Sequence, residues 1–345
     1  MKHILITGSA GLVGSALALY YDSKGWSVTG VDNNARAEYF GPEGSTGPTL
    51  LALRLDARNY HHECLDVRDK DAITALVRNL RPHAIVHCAA QPAHEWSKIH
   101  PFDDFEVNTV GTMVLLEAAR LYCPDSPFVF LSSSKVYGDA VNDVARKETA
   151  TRYVAKPIDE TLRVDQSLHS PYGASKAAAD IMVQEYGRCF GMPTVCLRPN
   201  CMTGQAHAGV EMHGFLNYLV RAAIEKRRYR VFGFGGKQVR DNIHSSDVVK
   251  AIECCVSGPP DPGAVFNLGG GLSNSASILE AAESMGLRGF PMLLEDGPPR
   301  TGDHVCYVSD TRKFRTEYPG WNVTVSLEDM FDEMIGVLAQ KKEMA

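Results

Sequence analysis

The sequence has no long apolar run and no excess of positive charge, and each absence excludes a class of protein. No stretch approaches the about 20 apolar residues of a membrane-spanning helix. The apolar run after Lys2 soon meets a glycine turn, so it is too short for a secretory signal peptide. A formal net charge of −6 gives no basic surface for nucleic acid. We therefore expect a cytoplasmic protein whose partners include neither membrane nor nucleic acid.

Cysteine pairs of the kind that bind metals are also absent. The nine cysteines include no CxxC pair and no Cys/His ligand spacing, and most of them stand in apolar runs. An odd number of scattered cysteines is typical of reduced, buried thiols in the cytosol. We expect no metal centre. The cysteines are Cys64, Cys88, Cys123, Cys189, Cys196, Cys201, Cys254, Cys255 and Cys306.

Short apolar runs alternate with helix-like stretches through the first two hundred of the 345 residues. Continuous apolar strands separated by helices indicate a parallel sheet that is covered on both faces. The pattern predicts an α/β fold of the Rossmann type, with a doubly wound parallel sheet. The apolar runs are 3–7, 26–31, 83–88, 128–132 and 194–198, and the helix-like stretches lie near 11–24, 69–80, 103–124 and 171–190.

After Arg198 the pattern loosens and Gly/Pro clusters become frequent. We expect a first domain over 1–198, to which parts of 236–270 return, and a smaller C-terminal substrate-binding lobe over 199–345. Residues 33–61 form an irregular insertion rich in Gly and Pro, which either caps a cofactor site or mediates contacts. The lobe is predicted to contain helices near 212–227, 245–257 and 325–341 and the strands YRVFG and AVFNLG.

A glycine-rich turn follows the first predicted strand. Gly8, Gly11 and Gly14 have the spacing GxxGxxG and stand directly before a helix, with Leu12 and Val13 between them. Such a turn lets a pyrophosphate approach the bare backbone at a helix N-terminus. A glycine cluster alone is also compatible with an ordinary strand–helix turn.

An acidic residue ends the second predicted strand. Asp32 stands 24 residues after Gly8 and is followed by Asn33 and Asn34. A carboxylate there accepts hydrogen bonds from ribose hydroxyls and repels a 2′-phosphate, which favours NAD over NADP, although Arg36 lies nearby. Further cofactor contacts are expected after the third strand, at Asp66 and Val67, and after the fourth strand, at Ala89, Ala90 and Gln91.

Several strings resemble one known family. TGSAGLVG, HCAAQ, the Asn108 of NTVGT, SSSKVYG and YGASK are similar to motifs of the extended short-chain dehydrogenase/reductases, and the resemblance extends to 236–249 and 299–304. The resemblance implies an NAD-dependent enzyme that acts on a nucleotide-activated sugar. It adds Asn108, Ser132, Pro199, Tyr172 and Lys176 to the cofactor contacts. It also implies a homodimer or higher homo-oligomer, which the helices near 103–124 and 171–190 permit.

In this family a Tyr and a Lys four residues apart act with a Ser or Thr, and the corresponding residues are Tyr172, Lys176 and Ser133. Side chains at i and i+4 share a helix face. A free tyrosine has a pKa of about 10, and a nearby ammonium or the positive nicotinamide ring favours the phenolate. Tyr172 then takes a hydroxyl proton, Ser133 polarises the same oxygen and Lys176 tunes Tyr172 and holds the nicotinamide ribose. An isolated YxxxK would instead indicate surface helix residues.

The residues before VYG distinguish two reactions. Related 4,6-dehydratases carry Thr-Asp-Glu there, whereas this chain has Ser133, Ser134 and Lys135. Ser134 cannot replace the acid and Lys135 cannot replace the base, so dehydration is disfavoured. The remaining reaction is reversible oxidation to a transient keto-sugar that takes hydride back on its other face, which is epimerisation.

The substrate contacts rest on the resemblance and on topology. Arg240 and Arg300 occupy segments that contact the diphosphate in the family, and an Arg fork suits phosphate oxygens. Other expected contacts lie at strand ends, where a doubly wound sheet binds its ligands; with Ser133 they are Gln91, His94, Lys135 and Asn200. Cys201 has no activating neighbour in sequence and is not expected to be a nucleophile.

The strings KVYGD, ETATRY, HSPYGASKAAAD and GKQVRD are similar to those of nucleotide-sugar 2-epimerases. They imply C2 epimerisation of a CDP-activated deoxyhexose. Two alternatives stay open. One is a UDP-hexose 4-epimerase that uses the same triad with the sugar turned differently. The other is a non-catalytic NAD-binding protein on the same fold.

Overall fold

The computed structural model describes residues 1–343 except 208, 212 and 301, and for 340–343 it describes the backbone alone. The strands are β1 (His3–Thr7), β2 (Ser27–Val31), β3 (Tyr60–Glu63), β4 (Ala84–His87), β5 (Phe128–Leu131), β6 (Arg146–Glu148), β7 (Tyr153–Ala155), β8 (Thr194–Pro199), β9 (Cys201–Thr203), β10 (Arg228–Phe232), β11 (Val239–His244), β12 (Ala264–Leu268), β13 (Ser275–Ser277), β14 (Leu293–Gly297) and β15 (Cys306–Tyr307).

The helices are α1 (Leu12–Ser23), α2 (Arg36–Phe40), α3 (Gly47–Asp56), α4 (Lys70–Leu80), α5 (His94–Ile99), α6 (Pro101–Phe105), α7 (Gly111–Tyr122), α8 (Pro171–Phe190), α9 (Phe215–Ile224), α10 (Ser245–Ser257), α11 (Ile278–Leu287), α12 (Arg312–Glu317) and α13 (Leu327–Glu343). A π-helical turn covers Glu106–Val110, and 3-10 turns cover Pro42–Gly44, Ser134–Asp143, Phe234–Gly236 and Leu272–Asn274. Within the described residues, no helix has the length and apolarity to cross a bilayer.

The main sheet has seven parallel strands in the order β12-β8-β5-β4-β1-β2-β3. This confirms the predicted doubly wound fold. Strand order reverses between β1 and β4, which pair with Ile4 opposite Ala84. At such a reversal the loops after the two strands diverge and leave a crevice, where open α/β sheets bind their ligands.

Two apolar layers cover the sheet. Ile4 and Ile6 of β1 pack in the cluster that contains α1, α3 and α10, whereas Leu5 packs against α4, α7 and α8. Successive strand side chains point to opposite faces, so a sheet buried on both sides needs an apolar residue at every position. This requirement explains why β1 reads as an uninterrupted apolar run.

The second lobe is built mainly from residues after β8. Strands β13, β11 and β15 form a small sheet to which β9 adds, and α9, α11 and α13 share a separate apolar core. Helix α10 packs on the first layer and β12 is the edge strand of the main sheet, while the predicted domain bounds stay a prediction. The segment that carries β6 and β7 contacts residues of the second lobe. The Ile158 N–H donates to Val308 O at 2.8 Å, and the Tyr153 N–H donates to Lys237 O at 2.9 Å.

The insertion over 33–61 is helical, so the prediction of an irregular segment was wrong. It contains α2, the 3-10 turn Pro42–Gly44 and α3 before β3 begins. A proline in the first turn of α3 is compatible with a helix start, where its missing N–H is not needed. Leu53 of α3 is buried in the cluster beside α1. The Gly and Pro residues therefore mark the ends of short helices.

The cysteines are all unpaired thiols. Cys123, Cys196, Cys255 and Cys306 are buried, but Cys64 and Cys189 are exposed. The expectation of buried thiols was therefore wrong for these two. Cys64 directly follows the edge strand β3, and Cys189 lies near the exposed end of α8.

Candidate functional site

A cleft of about 410 Å³ runs along the carboxyl ends of the central strands and under the second lobe. Most of the residues predicted to bind a cofactor or substrate lie in its wall. They are Gly8, Gly11, Leu12, Val13, Gly14, Asp32, Asn33, Asp66, Val67, Ala89, Ala90, His94, Ser132, Ser133, Lys135, Tyr172, Lys176, Pro199, Asn200, Arg240 and Arg300.

The three glycines of the turn leave the backbone before and at the start of α1 uncovered by side chains of their own. Gly8 has φ +66°, and a Cβ there would lie 2.7 Å from the Ala89 backbone nitrogen. A Cβ on Gly14 would lie 2.1 Å from the Gly8 carbonyl oxygen. Gly11 caps α1 without a side-chain hydrogen bond, so the first helical N–H groups need another acceptor. These features fit the pyrophosphate of a dinucleotide.

Asp32 is fixed at the end of β2. Its Oδ2 accepts from the Ala10 N–H at 3.0 Å, and its Oδ1 accepts from the Asn34 N–H at 2.8 Å and the Thr46 hydroxyl at 3.2 Å. An ionised carboxylate has about four acceptor positions, so hydrogen bonds from ribose hydroxyls can still be added. The position and chemistry of Asp32 fit NAD.

The Arg36 guanidinium is engaged by its surroundings. It donates from Nε to Gly44 O at 3.2 Å, lies over the Phe40 ring at 4.7 Å and approaches His213 Nδ1 at 3.4 Å. Burial lowers the pKa of Arg36 to about 10, and the negative charge of Asp32 opposes this shift. Arg36 thereby joins the insertion to the second lobe over the cofactor end of the cleft.

Helix α8 presents the predicted catalytic pair. The Ser170 hydroxyl accepts from the Gly173 N–H at 3.2 Å and so caps the N-terminus of the helix. Pro171 is the first helical residue, where the missing N–H of a proline is not needed. Tyr172 is 9% exposed and Lys176 is 2% exposed, and both reach the cleft. Burial raises the pKa of Tyr172 to about 12; a hydrogen bond with Ser133 opposes the shift, and the charge of Asp104 adds to it. The structure therefore places Ser133, Tyr172 and Lys176 together.

Lys176 is engaged by other groups, and its predicted tuning of Tyr172 stays a prediction. Its ammonium donates to Leu131 O at 2.8 Å and lies 4.5 Å from the Phe130 ring centroid. Burial lowers the pKa of Lys176 to about 8, against the charges of Asp180 and Asp104. Ser133 is the group that favours the phenolate here.

Gln91, Asn108 and Asn34 are not among the residues that line the cleft, and their contacts with a cofactor or substrate stay a prediction. Gln91 is fully buried and its Nε2 donates to Asp104 Oδ1 at 2.7 Å. Asn108 Nδ2 donates to Gln91 O at 3.0 Å and to Asp104 Oδ1 at 3.1 Å. The Asn34 side chain accepts from the Thr46 N–H at 2.7 Å. All three amides stabilise the loops behind the cleft wall.

Asp303 joins two predicted substrate residues. Its Oδ1 lies 3.0 Å from Lys135 Nζ and 2.7 Å from Arg240 Nη2. Burial alone would raise the pKa of Asp303, but Lys135 and Arg240 hold it well below its usual range. The sequence reasoning missed Asp303, although it lies within the PRTGDH string, because a single carboxylate in a loop resembles a solvated charge.

The remaining predicted contacts are held in defined positions. The Arg300 guanidinium lies 3.7 Å from the Phe232 ring centroid, and Asn200 Nδ2 donates to Asp241 Oδ1 at 2.7 Å. His94 Nδ1 lies 2.9 Å from the Ser170 hydroxyl, and its ring centroid lies 4.8 Å from that of Tyr172. Burial and then the charge of Lys135 lower the pKa of His94 to about 3, so the imidazole is neutral. A neutral imidazole has one nitrogen that donates and one that accepts a hydrogen bond.

Cys201 also lines the cleft. Burial raises the pKa of its thiol to about 12, so it is protonated at neutral pH. This agrees with the expectation that Cys201 is not a nucleophile.

Comparisons with known proteins agree with this arrangement. A model of the NAD dependent epimerase/dehydratase family matches residues 4–269. The chain is 33% identical over 342 residues to CDP-paratose 2-epimerase of Salmonella typhi, covering 96% of this chain and 97% of the relative. It is 29% identical over 341 residues to UDP-glucose 4-epimerase of Mycolicibacterium smegmatis, covering 98% and 99%.

The fold is also found among solved structures. UDP-glucose 4-epimerase of Thermus thermophilus, in complex with NAD, superposes with a TM-score of 0.80 at 23% identity, covering 98% of this chain and 99% of that chain. At that identity the likeness concerns the fold alone.

Proposed function

The chain belongs to the NAD dependent epimerase/dehydratase family, and on that premise we propose that it epimerises C2 of a CDP-activated deoxyhexose. The observation that carries the proposal is the meeting of Ser133 and Tyr172 in the cleft, with Lys135 at the place of the dehydratase base. The family is NAD-dependent. The glycine turn, Asp32 and Lys176 are the residues that would hold NAD.

Bound NAD supplies a hydride acceptor that returns the hydride later in the same cycle. Tyr172 takes the proton of the hydroxyl at the reacting carbon, and Ser133 donates a hydrogen bond to that oxygen. The reacting carbon would thereby become a carbonyl carbon. Tyr172 would give the proton back to the same oxygen after the keto-sugar has turned its other face toward the cofactor side of the cleft. The product differs from the substrate at one carbon.

Lys135 supports epimerisation over loss of water. Elimination needs a base that removes a carbon-bound proton, and the ammonium of Lys135 is held as an ion pair with Asp303 at 3.0 Å. Ser134 donates its hydroxyl to Asn200 Oδ1 at 3.1 Å, and its hydroxyl is too weak an acid to replace a carboxylic acid. Ser134 and Lys135 therefore do not supply the general acid and the general base that dehydration requires.

Two arginines in the cleft and the similarity to one relative support the proposed substrate. Arg240 and Arg300 line one side of the cleft and suit the two phosphates of a nucleotide sugar. The relative named CDP-paratose 2-epimerase is 33% identical over 342 residues. The strings HSPYGASKAAAD and GKQVRD carried the same resemblance in the sequence.

Product analysis tests the proposal. Purified protein is incubated with CDP-paratose, CDP-tyvelose and UDP-glucose, and the sugars are identified by NMR. We expect interconversion of the CDP-sugars, and a kinetic isotope effect with deuterium on C2 and none with deuterium on C4. Conversion of UDP-glucose with an isotope effect at C4 would support the UDP-hexose 4-epimerase, which the 29% identical relative favours. Binding of NAD without conversion of any sugar would support a non-catalytic role.

We also propose a cytoplasmic homodimer. Large apolar side chains are exposed on α6, α7 and α8, including Phe102, Leu121, Ile181 and Phe190. Pairing α7 and α8 with the same two helices of a second copy would form a four-helix arrangement, in which exposed side chains of these helices become buried. Light scattering of the purified protein distinguishes a dimer from a monomer by molar mass.

A further inference from the structure

A carboxylate that the proposed reaction does not use lies behind the catalytic pair. Asp104, on α6, has no exposed surface. Its Oδ1 accepts from Gln91 Nε2 at 2.7 Å and Asn108 Nδ2 at 3.1 Å, and its Oδ2 accepts from the Ser175 hydroxyl at 2.6 Å. A buried carboxylate is costly unless such donors surround it. The three donors therefore offset the cost of burying Asp104.

Asp104 connects helix α8 to the segment that follows β4. Ser175 lies between Tyr172 and Lys176 on α8, and its hydroxyl lies 3.0 Å from Tyr172 O. Gln91 follows Ala89 and Ala90, which line the cofactor end of the cleft. One carboxylate thus fixes the catalytic helix relative to the strand end that borders the cofactor.

We propose that Asp104 is a positioning residue of the active site, which ties α8 to the end of β4 and sets a buried negative charge behind Tyr172 and Lys176. The proposal rests on the proposed function for its catalytic consequence, but the tie and the charge belong to the ligand-free protein. Asp104 itself touches neither substrate nor cofactor.

The charge acts on both catalytic groups in the same direction. A negative charge stabilises the Lys176 ammonium and destabilises the Tyr172 phenolate, so it raises the pKa of each. Burial raises the pKa of Asp104 itself to about 6, against the hydrogen bonds of Ser175 and Gln91 and the charge of Lys176. Above that pH Asp104 is ionised and acts on the pair; below it the effect fades.

Few titratable groups face Asp104, so few other charges can affect its pKa. On α8 the titratable groups that face it are Lys176 and Tyr172. From the end of β4 and the π-helical turn it meets the neutral amides of Gln91 and Asn108. On its N-terminal side its own N–H donates to the backbone oxygen of His100 at 3.1 Å, while the His100 ring stacks on Trp96.

The test compares Asp104→Asn with Asp103→Asn, which removes a half-exposed charge from the neighbouring residue of the same helix. In ligand-free protein, the pH dependence of Lys176 labelling by an amine-reactive reagent is followed by mass spectrometry. We expect the midpoint, at about 8 in the unchanged protein, to fall in Asp104→Asn and to stay in Asp103→Asn. This readout needs neither NAD nor sugar, so it stands if the proposed function fails.

The catalytic readout uses the substrate that the unchanged protein converts. In Asp104→Asn we expect kcat to fall about ten- to hundredfold with little change in KM, because groups are misplaced after binding. The rise of kcat on the acid side of its pH profile is expected to move to lower pH, because the Tyr172 phenolate forms more readily without the negative charge. A merely structural loss would lower kcat without moving this rise. An unmoved labelling midpoint together with an unmoved rise of kcat would overturn the proposal.

A second variant tests the proposal if Asp104→Asn does not fold. Ser175→Ala removes one donor, which raises the pKa of Asp104 further and leaves less charge at neutral pH. The midpoint of Lys176 should then move in the same direction by a smaller amount. An unchanged midpoint in folded Ser175→Ala would count against the proposal.

Discussion

At the residue scale, Tyr172 is the group whose chemistry depends most on its environment. Its pKa of about 12 in the ligand-free protein is set by burial, with Ser133 as the opposing partner. A buried phenol is therefore protonated until bound ligands change the local charge. In the proposed mechanism, Tyr172 therefore takes up a proton only when cofactor and substrate are both bound.

Replacing Tyr172 by Phe removes the proton acceptor and keeps the ring. We expect turnover to fall about 10²- to 10⁴-fold, the usual contribution of general acid–base catalysis. NAD content, measured in the supernatant of the denatured protein, should stay unchanged. Tyr186→Phe is the matched control, because it alters a tyrosine of the same helix whose hydroxyl pairs with Glu117 at 3.2 Å. Full activity of Tyr172→Phe would remove Tyr172 from the mechanism.

Asp303 is a second residue with a large expected effect. In Asp303→Asn the cations of Lys135 and Arg240 lose the carboxylate that pairs with both. Breaking a buried ion pair costs about 3–5 kcal/mol, so the free energy of unfolding should fall by an amount of that order in urea titrations. Asp332→Asn breaks the exposed pair with Arg288 and should cost less than about 1 kcal/mol. Equal losses in the two variants would contradict the burial argument.

At the element scale, the turn between β1 and α1 tolerates no Cβ at its third glycine. In Gly14→Ala the new methyl group would lie 2.1 Å from the Gly8 oxygen, so the turn must open. Such strain costs about 1–3 kcal/mol, and NAD affinity measured by calorimetry should fall roughly ten- to hundredfold. Gly286→Ala, on α11, meets no atom within 4 Å and should leave NAD affinity unchanged. Unaltered affinity in Gly14→Ala would mean that the pyrophosphate lies elsewhere.

Elements that the main sheet buries on both faces were predictable from the sequence, because their apolar runs are continuous and their helices carry clear end signals. β1, for example, runs over His3–Thr7 as expected, and Ser170-Pro171 begins α8. The insertion was not predictable, because α2 has five residues and no buried side chain, so periodicity gives no signal. Asp104 was missed for a related reason: in the string DDFE it reads as one of several surface charges, and tertiary packing alone distinguishes it from Asp103.

At the scale of the whole molecule, the insertion and the second lobe meet across the cofactor end of the cleft. Glu43, between α2 and α3, pairs with Arg221 of α9 at 3.1 Å, and Phe40 lies 5.5 Å from the His213 ring. Both contacts link the insertion to residues that follow β8.

Opening this connection should speed cofactor release. In Glu43→Gln the ion pair with Arg221 is lost, and since such exposed pairs contribute about 0–1 kcal/mol, the release of bound NAD should become about two- to fivefold faster. The rate is measured by exchange of labelled NAD against an excess of unlabelled NAD. Glu328→Gln removes a comparable surface pair with Arg288 away from the cleft and should leave the rate unchanged. If both variants release NAD as the unchanged protein does, the contact is not a barrier to exchange, and retention of the cofactor depends on the glycine turn and Asp32 alone.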